Sequence, residues 1–224
     1  MIPLRDVIPS RTRPLVTVTL IALNVSVFLF QAGLSPTAAE RFIFAFGVIP
    51  AHLSMMTVVT AMFVHGGLAH LAGNMLFLWI FGDNVEDRLG HGRFLVFYLL
   101  CGSVAALAQA AFDPGSPVPM VGASGAIAGV MGAYVILYPQ SRVLMLFPFP
   151  PILFELPAVV FLAMWFVIQF LSGLGSLAAV GARDLAGGVA FWAHVMGFVA
   201  GVLLVRVMRR PERDRVDWWD TQIS

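Results

Sequence analysis

The sequence predicts an all-α polytopic membrane protein of six transmembrane helices, with the amino and carboxyl termini cytosolic. Three observations carry this. Of 224 residues, 59% are hydrophobic and 11% charged, against roughly 45–50% and 25% in soluble domains, and the mean hydropathy is +0.90. The apolar residues gather into six runs, each close to the ~20 residues a helix needs to cross a bilayer. Arginine, the chain having no lysine, is unevenly placed between those runs: eleven arginines fall on one side and only Arg41 and Arg183 on the other, so the richer side is assigned to the cytosol.

The spans are expected at about 15–33, 61–82, 94–112, 121–138, 151–172 and 188–207. A segment 1–14 with Arg5, Arg11 and Arg13 precedes the first span, which reads as a retained anchor because no A-x-A cleavage site follows it. The connector 34–60 carries Glu40, Arg41, Pro50 and His52 among Phe, Ile and Met, and is expected to be a structured loop at the interface. The third span holds the single cysteine, Cys101, which has no partner for an internal disulfide. The fourth and sixth each contain a G-x-x-x-G pair, Gly125/Gly129 and Gly197/Gly201, the spacing that lets helix backbones approach closely. Residues 15–207 form the membrane domain and 208–224 a cytosolic tail. A net charge of +1 gives no reason to expect a nucleic-acid partner; membrane lipids are the expected surroundings, and the oligomeric state is not encoded in any feature of the chain.

Polar side chains inside the spans are few: Asn24, His65, His70, Asn74, Ser124, Gln169 and His194. Such groups are costly in hydrocarbon and mark function by default. A single serine there usually bonds to its own backbone, and a single histidine or asparagine usually joins helices, so the grouping decides. The second, fourth and sixth spans run in the same direction and carry His70 with Asn74, Ser124, and His194. His70 and Asn74, four apart, share a helix face. Ser124 lies only roughly 5 Å below the start of its span, shallower than the histidines. The depths match if the connector 114–120, "PGSPVPM", dips into the bilayer, which irregular backbone tolerates only beside protein or water. A water-filled cavity with Ser124 at its floor follows.

A serine hydroxyl becomes nucleophilic when a neutral histidine takes its proton. His194 is the expected base because its span and that of Ser124 carry the two glycine pairs. Without Asp or Glu in mid-span, a dyad is expected. His70 and Asn74 then supply hydrogen-bond donors to the oxyanion of a tetrahedral intermediate, with N–H groups at the start of the fourth helix. Other chemistries fit less well. There is no H-E-x-x-H zinc motif, and no metal is expected; His65 and His70 are five apart, on different faces; mid-span aspartate pairs are absent; and G-x-S-x-G is broken by Ala126.

The motifs "TAMFVHGGLAHLAGNMLFLWIFGDNVEDRLG" (60–90), "VGASGAIAGVMGAY" (121–134) and "GGVAFWAHVMGFVAG" (187–201) resemble those of the rhomboid intramembrane serine proteases. The resemblance implies a rhomboid-like six-helix bundle in which Ser124 is the nucleophile and His194 the general base, then acid. His70, Asn74 and the backbone N–H of Ser124 would hold the oxyanion, and Gly122 would let the backbone turn beside them. It implies no cofactor, transmembrane proteins as substrates and partners, and lateral access governed by 151–172, including Trp165, and by 34–60. Two departures stand out. Met56-Thr57 occupies the place of a frequent Trp-Arg, and Ala128 that of a tyrosine stacking on the catalytic histidine, a part for which Phe77 is the expected substitute. Glu86 matches a structural position. The alternatives are an inactive rhomboid-like protein that binds transmembrane clients and, further off, a transporter, disfavoured for want of repeated broken helices. A bacterial plasma membrane is the expected location.

Overall fold

The computed structural model describes residues 1–178 and 190–210. The expected tail 208–224 lies outside them beyond Arg210, as do Arg183 and the first two residues of the expected sixth span. Among the described residues, eight helices and three strands follow in the order β1 (Ile2–Asp6), α1 (Leu15–Ala32), α2 (Pro36–Phe46), α3 (Met55–Thr60), α4 (Leu68–Leu89), α5 (His91–Phe112), α6 (Ser124–Leu137), β2 (Arg142–Phe147), β3 (Ile152–Pro157), α7 (Ala158–Ala178) and α8 (Phe191–Met208). Short 3₁₀ turns at Pro50–His52 and Ala61–Phe63 flank α3.

Each expected span contains a helix, but the described helices do not by themselves confirm six crossings. Four described helices are long and apolar enough to cross a membrane: α1, α5, Ala158–Ser176 of α7, and α8. The polar-rich α4 qualifies only together with Met55–Phe63, to which it is bent by 89°. Helix α6 has 14 residues, about 21 Å against a hydrocarbon core of roughly 30 Å.

The all-α expectation needs correcting. Strands β1, β2 and β3 form an antiparallel sheet in that order, and the fifth helix begins at Ala158, seven residues later than expected. Proline explains both. Pro148, Pro150, Pro151 and Pro157 cannot sit inside a helix and bias the residues before them to extended backbone. The 142–157 segment therefore turns back on itself as a hairpin. Val143 and Met145 on its inner face are fully buried in the same core as the helices, so the sheet lies across one end of the bundle.

Helix α6 is the axis of that bundle and is buried along nearly its whole length. Its crossing with α8 is closer than any side chain allows: a Cβ at Gly197 would lie 2.1 Å from the carbonyl oxygen of Gly125, and one at Gly201 1.9 Å from that of Gly129. At the sheet end, the buried carboxylate of Glu86 accepts from the N–H groups of Val16 (2.9 Å) and Thr17 (2.7 Å), from the Thr17 hydroxyl (2.7 Å) and from His91 Nδ1 (2.5 Å). It thus satisfies two of the orphan donors of the first turn of α1, where negative charge is favoured.

Candidate active site

Ser124 is the first residue of α6. The chain reaches it through Gly122, whose φ of +119° is a region where a Cβ is strained and whose N–H donates to the Ala61 carbonyl at 2.9 Å. From α8, His194 brings Nε2 to 2.7 Å from Ser124 Oγ. The glycine crossing permits this approach, since α8 could not lie so near α6 with side chains between them.

Helix α7 completes the arrangement from the other side. Gln169 Oε1 stands 2.7 Å from His194 Nδ1, and Trp165, one turn earlier on the same face, places its ring 5.7 Å from the imidazole at 40°. A carbonyl oxygen only accepts, so Nδ1 carries the hydrogen and Nε2 is left with the lone pair that takes the serine hydroxyl's bond. The pair expected from the sequence is thus a chain of three side chains. Phe77, the expected ring partner of His194, is instead stacked on Phe161 at 6.1 Å and 24°; Trp165 occupies that place. The spacing of Trp165 and Gln169, four apart and both able to meet an imidazole, was the signal available.

His70 and Asn74 line the same cavity as Ser124 and His194, about 550 Å³, walled by Phe77, Met131 and Trp165. Gly122 lies against them: a Cβ there would lie 2.7 Å from His70 Cε1 and Nε2 and 3.5 Å from Asn74 Nδ2. All five expected site residues, Ser124, His194, His70, Asn74 and Gly122, are therefore brought together. His65, which the sequence left without a part, is fully buried. Its Nε2 accepts from Asn74 Nδ2 at 2.9 Å, its ring meets that of His70 at 5.2 Å, and its carbonyl accepts from Gln31 Nε2 at 2.8 Å. One N–H of the Asn74 amide is fixed in this way and the other remains for the cavity. Among the described residues no three His, Cys, Asp or Glu side chains are grouped so as to hold a metal ion.

The 114–120 connector is held by the first loop. Met120 and Val48 exchange backbone hydrogen bonds of 2.7 and 2.9 Å, and Ala51 N–H donates to the Ser116 carbonyl at 3.0 Å. Pro114, Gly115, Pro117 and Val118 are exposed, whereas Pro119 and Met120 are half-buried and line the cavity. The first loop is structured, as expected, around α2 and α3; Met56 is exposed on it and Thr57 turns inward to bond the Ser54 carbonyl at 2.8 Å.

Residues 52–211 match the Rhomboid domain. The chain is 37% identical over 135 residues to Rhomboid protease GluP of Bacillus subtilis, a stretch covering 58% of this chain and 26% of that protein. It is 30% identical over 196 residues to the mitochondrial presenilin-associated rhomboid-like protein of Bos taurus, covering 83% and 47%. To the mitochondrial Rhomboid protein 1 of Saccharomyces cerevisiae it is 36% identical over 101 residues, covering 43% and 29%. The chain thus spans between about a quarter and about half the length of these relatives. Two of them are mitochondrial, which runs against the expected bacterial plasma membrane; an integral multi-pass membrane protein is what stands.

Proposed function

Since this chain belongs to the rhomboid family, as the match over residues 52–211 establishes, we propose that it is an intramembrane serine endopeptidase that cleaves peptide bonds in or near transmembrane segments of other proteins. The observation that carries this reading is the continuous hydrogen-bonded chain Ser124–His194–Gln169, both links 2.7 Å, on the wall of a cavity of about 550 Å³.

Ser124 Oγ attacks the scissile carbonyl carbon while its proton passes to His194 Nε2. The carbonyl oxygen becomes an oxyanion and receives hydrogen bonds from the Ser124 N–H and the side chains of His70 and Asn74, each such donor lowering the barrier by about 2.7–4 kcal/mol. The C–N bond then breaks and the leaving amine takes the proton from Nε2. Water attacks the resulting ester with His194 again as base; the ester bond to Oγ breaks and the hydroxyl is restored. Throughout, Gln169 keeps the imidazole in one tautomer and stabilises the imidazolium through its Nδ1–H, the part a carboxylate takes in soluble triads. No cofactor is needed for these steps.

The short α6 sets the depth. If its carboxyl end reaches the membrane surface on the arginine-rich, cytosolic side, Ser124 lies about 9 Å beneath the opposite boundary. Six crossings, with both termini cytosolic, are then compatible with a broken second span and a truncated fourth. Of the two family positions for substrate access, α7 brings Trp165 to the cavity wall, and the 34–60 loop holds Met120, which lines it, through Val48. An inactive client-binding protein is disfavoured because serine and histidine are both present and bonded. The test is incubation of the purified protein with a model transmembrane substrate in proteoliposomes. Cleavage by the wild type, lost in Ser124→Ala, supports the reading; no cleavage of several substrates by the folded wild type points to client binding.

A further inference from the structure

The sheet at the end of the bundle has an uneven distribution of polarity along its strands. At the end nearest the helices, Asp6 lies opposite Val143, and Arg5, Leu144 and Glu155 form one register row; Arg142 pairs with Glu155 at 3.5 Å. At the far end the rows are Ile2–Leu146–Leu153 and Phe147–Ile152, followed by the turn containing Phe149. No charged side chain occurs between Arg142 and Glu155.

This far end is exposed on both faces. Inner-face positions follow the parity of Val143 and Met145, which are buried against the helices; two residues further, Phe147 has passed the edge of the core and is exposed, as is Ile152 opposite it at 50%. Outer-face Leu153 is 59% exposed, Ile2 is exposed beside the same row, and Phe149 at the tip is 85% exposed. A sheet with one face in water keeps that face polar, and an interface with a second copy would call for a single apolar face. Apolar side chains on both faces and the tip suit a surrounding apolar medium.

The position of the sheet supplies that medium. Strand β3 ends at Pro157 and α7, one of the membrane-crossing helices, begins at Ala158 with no residue between; the Ala158 N–H is tied to the Ser141 carbonyl at 2.8 Å. The hairpin base is therefore fixed at the membrane boundary. Because the inner face of the sheet lies across the helix ends, its strands run sideways, and six residues carry the tip roughly 20 Å toward the perimeter.

We propose that the distal β2–β3 hairpin, with Phe147, Phe149, Ile152 and Leu153, is a wedge inserted into the lipid of the membrane that the chain itself spans, at the headgroup–acyl boundary of the leaflet on the sheet's side. Aromatic and aliphatic side chains partition there, while Arg5, Arg142 and Glu155 stay in water. The wedge fixes the amino-terminal end of α7, the helix that carries Trp165 and Gln169.

The full chain with Cys101→Ala, reconstituted in phosphatidylcholine vesicles, tests this through a nitroxide placed in turn at Phe149→Cys, Leu153→Cys and Glu155→Cys. The collision rate with oxygen should exceed that with a water-soluble nickel chelate at 149 and 153, and the order should reverse at 155. Equal nickel access at all three positions would place the tip in water and overturn the proposal. Protection of 149 and 153 from both reagents would overturn it too, by showing protein as the cover. Two tip positions keep the result readable if one variant misfolds.

Discussion

His194 Nδ1 lies 2.7 Å from Gln169 Oε1, so a neutral amide on α7 decides which nitrogen of the imidazole faces Ser124. Removing it frees the ring without touching the serine. Gln169→Leu should lower kcat about 2- to 12-fold, the range of one net hydrogen bond, with KM nearly unchanged. Gln169→Glu keeps an acceptor in place and should retain more activity than Leu. Steady-state cleavage in proteoliposomes distinguishes the three proteins; equal rates for Leu and wild type would exclude a positioning role.

The oxyanion cradle makes a sharper prediction. Asn74→Ala should lower kcat about 10²- to 10³-fold, with a loss of about 1–3 kcal/mol of stability because Nε2 of the buried His65 loses its donor. Gly122→Ala should be at least as damaging, because its methyl would lie 2.7 Å from the His70 ring where the φ of +119° already disfavours a side chain. A fully active Gly122→Ala would show that the substrate carbonyl binds elsewhere.

Activity and stability should fall together when the α6–α8 crossing is widened. A Cβ at Gly201 meets the Gly129 carbonyl oxygen at 1.9 Å, and backbone has little room to yield. Gly201→Val is expected to cost about 1–3 kcal/mol or more and to move His194 away from Ser124. Thermal unfolding and cleavage of the same preparation measure both; loss of stability with full activity would uncouple the crossing from the site.

Asp6 gives a pH signature outside the membrane. Burial pushes its carboxyl up to about 7 from 3.8, the Tyr134 hydroxyl donating to it draws it partly back, and nearby Asp83 pushes it further up. A raised folded-state value means that the folded protein holds the proton more tightly, so this contribution is full at acid pH and is lost as pH rises through about 7. Asp6→Asn, which stays neutral, should therefore match wild type near about pH 4, become increasingly more stable up to about pH 7 and keep that lead at about pH 8. Unfolding midpoints at a fixed scan rate across that interval check it, and parallel curves would refute it.

Much of the site was legible in the chain because its parts are tied to local patterns. Four-residue spacing put His70 and Asn74 on one face, and two glycine pairs marked the helices that bring Ser124 and His194 together. Gln169 was visible only as an isolated amide, since its partner is 25 positions away and the side-chain direction of α7 depends on packing. The same limit misplaced Phe77, whose ring goes to Phe161. The sheet was hidden for another reason. Strands such as "RVLMLF" and "ILFELP" have the composition of a membrane span, and only the prolines around them tell the two apart.

Activation of Ser124 by His194 is read out by mapping where an activity-based serine-hydrolase probe attaches to the reconstituted protein. Covalent labelling is expected at Ser124 in the wild type and none in His194→Ala of unchanged fold. Labelling of Ser124 that persists undiminished in His194→Ala, or a folded wild type that takes no label while still cleaving substrate, would contradict it.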